Sequence, residues 1–326
     1  TLLQKKADLF ISEAFMTDAD THFAIKKEVM KVFTPQMLRE LTLYIDIVAS
    51  SALVNYELGQ TINLKDDYID PIVRSAVECL FGIEKSKSKK LINYAHFIIQ
   101  KKFQFQKSLQ EKLLLTQAII YIANYTLQNA EDENAQRGPF LQQLVSMYKG
   151  GSLSGDGLVS NTIFTMGAAL ESTFASIESI FYHLHQHKDL YQQIRIDRTL
   201  IKKFIAESNR LESAASFITR IAAEDTQVNG VKIKKGEQLM CLLGAANRDP
   251  KKFSEPNAIS LERPNDNSLV FGSGIHYCIG AAVAKIEMEI ALKNFMDKFG
   301  NFEIISEINW RNDFRFRALQ TLSLKV

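Results

Sequence analysis

Residues 271–280 read Phe-Gly-Ser-Gly-Ile-His-Tyr-Cys-Ile-Gly, and they put one of only three cysteines into a loop of glycine and small residues. A thiolate is both a nucleophile and a soft metal ligand. Glycines let the backbone approach a partner closely, so a thiol in such a loop reaches what a bulkier loop would hold off. For an isolated cysteine the competing reading is a buried structural residue. That reading suits Cys79 and Cys241, which lie in apolar segments and are expected in the core. An odd, sparse set of thiols points to a reducing compartment without a disulfide framework.

The fixed positions Phe271, Gly272, Gly274, His276, Cys278 and Gly280 spell F-G-x-G-x-H-x-C-x-G. This decapeptide resembles the haem-binding loop of the cytochrome P450 haem-thiolate enzymes. The resemblance implies that Cys278 is the axial ligand to the iron of haem b (iron protoporphyrin IX). It implies that Phe271 shields the sulfur, that Gly272 and Gly280 allow the macrocycle close, and that His276 meets a propionate. Ala281 to Glu287 is similar to the family's helix behind the ligand, whose N-terminal dipole favours the thiolate.

A second constellation is Gly167-Ala-Ala-Leu-Glu-Ser-Thr173, inside a long apolar run. An acid and a hydroxyl there are costly unless satisfied or functional. The plain reading is a hydroxyl bonded back to the helix, with Glu171 reaching solvent. By resemblance, Ala168 and Ala169 are the small pair that makes room for dioxygen, and Glu171 and Ser172 are the acid and alcohol that relay protons. The second small residue is Ala rather than the usual Gly, and the alcohol is Ser rather than Thr; Thr173 is the substitute if the register slips.

Glu207-Ser-Asn-Arg210 is the only E-x-x-R in the chain. Alone it reads as an exposed helical ion pair. By resemblance, Glu207, Arg210 and Arg263 form a buried structural triad. Arg220 sits where the family often binds a propionate, against the plain reading of a surface residue. His22 and Lys26 resemble the family's H-x-x-x-R, with a lysine that keeps the charge but not the two-pronged geometry. The same stretch, from Asp18, also reads as a capped, solvated helix start. His183, His185 and His187 look like a metal cluster, but on a helix i and i+2 point apart, so a wet helix end is expected.

The elements that position these residues follow from punctuation and periodicity. The chain has 326 residues and only six prolines, leaving long stretches free to be helical. Residues 22–60 read as helix broken at Thr34-Pro35, and 70–130 as further helix with a solvated lysine-rich loop at 86–90. Leu158 to about His187 is too apolar for a surface helix and belongs in the middle of the molecule. Asn229-Gly230 between alternating apolar residues predicts a hairpin over Thr226–Ile233. Gln238–Leu243 reads as a short buried strand, and Arg315–Val326 ends in strands. The expected fold is mainly α with small β-sheets: one haem-thiolate, cytochrome P450-like domain over 1–326, N-terminally abridged, since the resemblance begins near Phe15.

No apolar run spans a membrane, no signal peptide opens the chain, and a net charge of +2 argues against nucleic-acid capture. A cytoplasmic location is expected. The implied activity is a haem-thiolate monooxygenase that inserts one atom of dioxygen into a small organic substrate. Its electrons would come from a ferredoxin or flavodoxin-type partner docking on lysines 26, 27, 31 and 285. The rivals are a hydrogen-peroxide-driven peroxygenase of the same fold and a catalytically idle haem-binding or scaffold protein. The short opening is either a truncation or natural; if natural, a homo-oligomer or partner chain is expected to complete the distal pocket. Leu170 and Phe316–Leu319 are expected to line that pocket.

Overall fold

The computed structural model describes residues 20–102, 107–263 and 268–326; Asp18, at the expected helix start, and Pro264 lie outside them. Helices α1 (Asp20–Met30) and α2 (Pro35–Leu53) are separated at Thr34, whose hydroxyl caps α2 by accepting from the Met37 N–H at 3.1 Å. Strand β1 (Thr61–Asn63) and a π-helical turn (Leu64–Ile69) lead into α3 (Asp70–Phe81). Gly82 ends α3 in the left-handed region.

The next helix, α4, spans Lys85–Lys102, so the lysine-rich run is its first turns and not a loop. Lysines do not break a helix; the break falls at Gly82, and Leu91, Ile92, Ala95 and Ile98 bury the other face. Helices α5 (Leu109–Glu131) and α6 (Pro139–Lys149) follow, then α7 (Gly155–Gln186), a 32-residue helix through the core. Among the described residues no helix is long and apolar enough to cross a membrane.

After α8 (Lys188–Ile196) and α9 (Ile201–Leu211) come β2 (Phe217–Ile221), β3 (Thr226–Val228), β4 (Val231–Ile233) and β5 (Gln238–Leu242). The β3–β4 hairpin turns at Asn229 and Gly230, both with positive φ, as their residue types predict. β5 pairs with β2 alone; Met240 and Leu242 are about half exposed and Cys241 is exposed, so neither the strand nor that thiol is the buried element expected. Among the described residues β5 has this one pairing partner, and its side chains stay open. The short α10 (Leu243–Ala246), then α11 (Ala281–Lys298), β6 (Glu303–Ile304) and β7 (Ser323–Lys325) complete the described fold, with β7 between β1 and β6.

The core is aromatic where α7, α11 and the β6 region meet. Phe181 packs edge-on to Phe295 at 4.8 Å, and Phe295 to Phe302 at 5.5 Å. Tyr68 is fully buried and donates to the Ala291 carbonyl at 2.7 Å, tying the turn before α3 to α11.

Candidate active site

The cysteine loop precedes α11 and is shaped by two left-handed glycines, Gly272 (φ +70) and Gly274 (φ +66). No L residue with a side chain adopts those angles cheaply. The Cys278 N–H donates to the Phe271 carbonyl at 2.8 Å, which closes the loop. Cys278 is open to solvent at one side, while the packed loop desolvates its sulfur enough to push the thiol's pKa up. The Gly280 N–H, Lys26 and the Ala281 N–H work against that rise. The loop therefore offers donors to an anionic sulfur and leaves that sulfur reachable. Those are the properties a thiolate ligand to a flat prosthetic group requires, and the residues fit haem.

Helix α1 braces the loop. Lys26 Nζ donates to the carbonyls of Ile275 at 2.5 Å and Tyr277 at 2.7 Å, and the ring nitrogen Nε2 of His22 lies 3.2 Å from the Ile275 carbonyl. The rings of His22 and His276 lie 4.4 Å apart. Burial lowers the pKa of Lys26, and Cys278 opposes that shift. The predicted basic face is thinner than its sequence: Lys26 turns to the loop, Lys31 pairs with Glu28 at 2.6 Å, and Lys285 lies 5.3 Å over the Phe271 ring.

The triad assembles. Glu207 binds Arg210 at 2.7 Å and Arg263 at 3.1 Å, and the Ser260 N–H donates to it at 2.9 Å. Burial alone would push the Glu207 carboxyl up; Arg210, the Ser260 N–H and Arg263 together hold it below the usual range. Arg210 is 1% exposed and also donates to the carbonyls of Asn247, Pro256 and Ala258. Asn247, to which the sequence assigned no role, carries this order onward. Its side chain donates to Ser213 and accepts from the Leu269 N–H at 2.7 Å, two residues before Phe271. Arg220 stands half-buried on β2 with its guanidinium on the Thr219 carbonyl, and none of its hydrogen bonds among the described residues joins it to the loop.

Along α7 from Gly157 to Phe181, every described residue is buried except Phe164, Thr165, Ala168, Ala169 and Ser172. Spacings of three and four put these on one stripe. Ala168, Ala169 and Ser172 thus share the accessible face. Thr173, four residues after Ala169, lies beside this stripe but is only 3% exposed. The Ser172 hydroxyl donates to the Ala168 carbonyl at 3.0 Å. Glu171 does not reach solvent: it is 1% exposed and contacts His96 Nε2 and Arg311, with Gln100 Nε2 donating at 3.2 Å. Nothing in the spacing of His96, Gln100 or Arg311 marks them beforehand. Leu170, Phe316, Ala318 and Leu319 are buried.

His183 and His185 are taken up by separate partners. His183 is buried with Nδ1 2.9 Å from the Ser208 hydroxyl, and His185 accepts from the Ile304 N–H. His183 is thus packed into the core, while the helix end at Gln186 and His187 is exposed as expected, and no group of three potential ligands for a metal ion occurs among the described residues.

A largely helical protein with small antiparallel sheets, a core helix carrying one accessible stripe, and a glycine-shaped cysteine loop is of the haem-thiolate class. The family model for Cytochrome P450 matches residues 34–308. The chain belongs to the cytochrome P450 family, whose members are haem b monooxygenases. It is similar to Cytochrome P450(BM-1) of Priestia megaterium, at 26% identity over 92% of this chain and 74% of the relative. It is also similar to the biotin biosynthesis cytochrome P450 of Bacillus subtilis, at 27% identity over 92% of this chain and 76% of the relative. Among solved structures, the Bacillus subtilis bacillaene polyketide synthase cytochrome P450 PksS superimposes with a TM-score of 0.87 at 26% identity, covering 98% of this chain and 82% of that one.

Proposed function

We propose that Cys278 is the axial ligand in a monooxygenase that inserts one atom of dioxygen into a small organic substrate. Haem, when bound, supplies the oxygen-activating redox chemistry. The N–H groups of Gly280 and Ala281 lie toward the sulfur, and Lys26 adds positive charge nearby; together they favour the thiolate. Phe271 packs at the root of the loop, and His22, Lys26 and His276 gather on one side of it, the residues that would hold the propionates of bound haem.

Ala168 and Ala169 keep the accessible stripe of α7 low enough for a small molecule. Ser172 puts its hydroxyl on that stripe, with a spare lone pair to accept from water or substrate while its proton rests on Ala168. Glu171, one position earlier, is the acid of the pair. The triad of Glu207, Arg210 and Arg263 does no chemistry; through Asn247 it fixes where the cysteine loop begins. Electrons come from a ferredoxin or flavodoxin-type carrier docking on the cysteine side, where the exposed Lys27 and Lys285 bring positive charge.

The observation that carries this reading is the reachable Cys278 sulfur under the Gly280 and Ala281 N–H groups. The reduced, carbon-monoxide-bound protein is expected to show the strongly red-shifted band of thiolate ligation, and Cys278→Ser to lose it. A Cys278→Ser variant that keeps the band refutes the assignment. Product formed with hydrogen peroxide but not with a reductase system would replace the monooxygenase by a peroxygenase.

A further inference from the structure

Glu171 is held from two directions by elements far apart in the chain. α4 brings His96 and Gln100; the segment after Trp310 brings Arg311. The carboxyl is 1% exposed, and the Arg311 side chain is itself only 20% exposed. The other carboxylate near Arg311 is Asp313, at 4.0 Å. Each buried charge is costly alone and tolerable together, so the two groups stabilise one another's ionised state.

The α4 contact depends on Gly167, one turn before Glu171. A Cβ there would stand 2.6 Å from the Ala95 carbonyl and collide with Ile99, so only glycine lets α4 approach closely enough for His96 to reach Glu171. The charged groups around the cluster are Arg74 and Asp70 of α3, Lys65 of the preceding turn, and Arg311 and Asp313 of the C-terminal segment. His96 has its pKa pushed down to about 4, by burial first and then by Arg311, Arg74 and Lys65. At neutral pH its ring is uncharged, and Arg311 is the cation in contact with Glu171.

We propose that Arg311 and His96 are positioning residues for Glu171: they keep its carboxyl ionised and docked on the α4 side of the accessible stripe, so that Glu171 exchanges protons only when the Trp310–Leu319 segment shifts. The inference rests on reading Glu171 as the proton-handling acid. It couples that acid to the segment containing Phe316 and Ala318, so occupancy beside that turn and proton supply are linked through one guanidinium.

The test is pH-difference infrared spectroscopy of the haem-loaded protein, joined to amide hydrogen exchange of residues 311–318. In the parent protein at neutral pH, Glu171→Gln removes no protonated-carboxyl band. Arg311→Gln gains such a band, the double variant Arg311→Gln/Glu171→Gln lacks it, and Arg311→Lys restores the parent spectrum. Exchange of the segment rises about tenfold or more in Glu171→Gln and in Arg311→Gln, and the double variant rises no further. A folded Arg311→Gln without the new band, or exchange unchanged in Glu171→Gln, overturns the proposal. Should Arg311→Gln not accumulate, the Glu171→Gln exchange decides alone. Neither readout depends on iron chemistry, so failure of the haem reading, visible in the carbon-monoxide spectrum, is distinguishable from failure of this one.

Discussion

Glu171 and Glu178 lie seven residues apart on α7, and each holds one end of the same C-terminal segment. Glu171 contacts Arg311, while Glu178 accepts from the Leu319 N–H at 2.7 Å and pairs with Lys65 at 3.1 Å. Two turns of helix bring both carboxyls to the same side. The intervening residues, including Phe316 and Ala318, are therefore strapped to the core helix at both ends.

The Glu178 end yields the first prediction. Its carboxyl is fully buried, and burial pushes its pKa up despite Lys65 and the Leu319 N–H. Glu178→Ala strands a backbone donor and a partly buried lysine, and is expected to cost about 2–4 kcal/mol. Glu178→Gln keeps an acceptor for Leu319 and is expected to cost less than half of that. Urea unfolding compares the two; equal losses would mean the Leu319 bond contributes nothing.

The triad has a different signature, because it acts on the loop through Asn247. Glu207→Ala leaves Arg210 buried among carbonyls without its counter-charge and is expected to destabilise the fold by about 3–5 kcal/mol. Asn247→Ala removes the acceptor for the Leu269 N–H but spares the ion pairs. It is expected to weaken haem retention about 10–100-fold with a smaller effect on unfolding. Haem transfer to an apo-acceptor protein measures retention directly, and an unchanged rate in Asn247→Ala would remove Asn247 from the chain of support.

What the sequence discloses and what it hides divide along a physical line. The loop around Cys278, the Asn229-Gly230 turn and the break at Thr34-Pro35 are legible because backbone angles and caps are set by the residues themselves. The triad is legible only through the family resemblance, since Glu207-x-x-Arg210 alone reads as an exposed pair, and only the fold shows Arg210 spending its other N–H groups on the Asn247, Pro256 and Ala258 carbonyls. His96, Gln100 and Arg311 were invisible, because each matters only through where a distant element places it. The lysines at the start of α4 misled for the converse reason: charge marks a solvated face, not the end of a helix.

Gly167 turns that hidden packing into a third prediction. Gly167→Ala puts a methyl group against the Ala95 carbonyl and Ile99, which forces α4 away from α7. Overpacking of this kind costs about 1–3 kcal/mol, although alanine is the better helix former by about 1 kcal/mol. The substitution is therefore expected to destabilise on balance and to separate His96 from Glu171. Nitrogen-15 spectra of the histidine rings read that separation: the His96 resonances should move and those of His183 stay. A stabilised protein with unmoved His96 signals would show that α4 has slack at this crossing.

His183 carries the last prediction, on acid stability. Burial, then His187, Arg248 and Arg210, push its pKa from the ordinary 6.5 down to about 4. Between those values the unfolded chain binds a proton that the folded one refuses. Stability therefore rises with pH across this window, is fully present above about 6.5 and is lost as pH falls toward 4. The loss is on the order of 3 kcal/mol for this group, and His96 adds to it in the same direction. His183→Gln keeps a side chain able to bond Ser208 but does not titrate. Its stability at pH 7 is expected to be lower than the parent's and its decline between pH 6.5 and 4 shallower, so the two curves converge. Parallel curves from chemical unfolding at each pH would mean that His183 takes up its proton in the folded state, which its bond to Ser208 and its burial argue against.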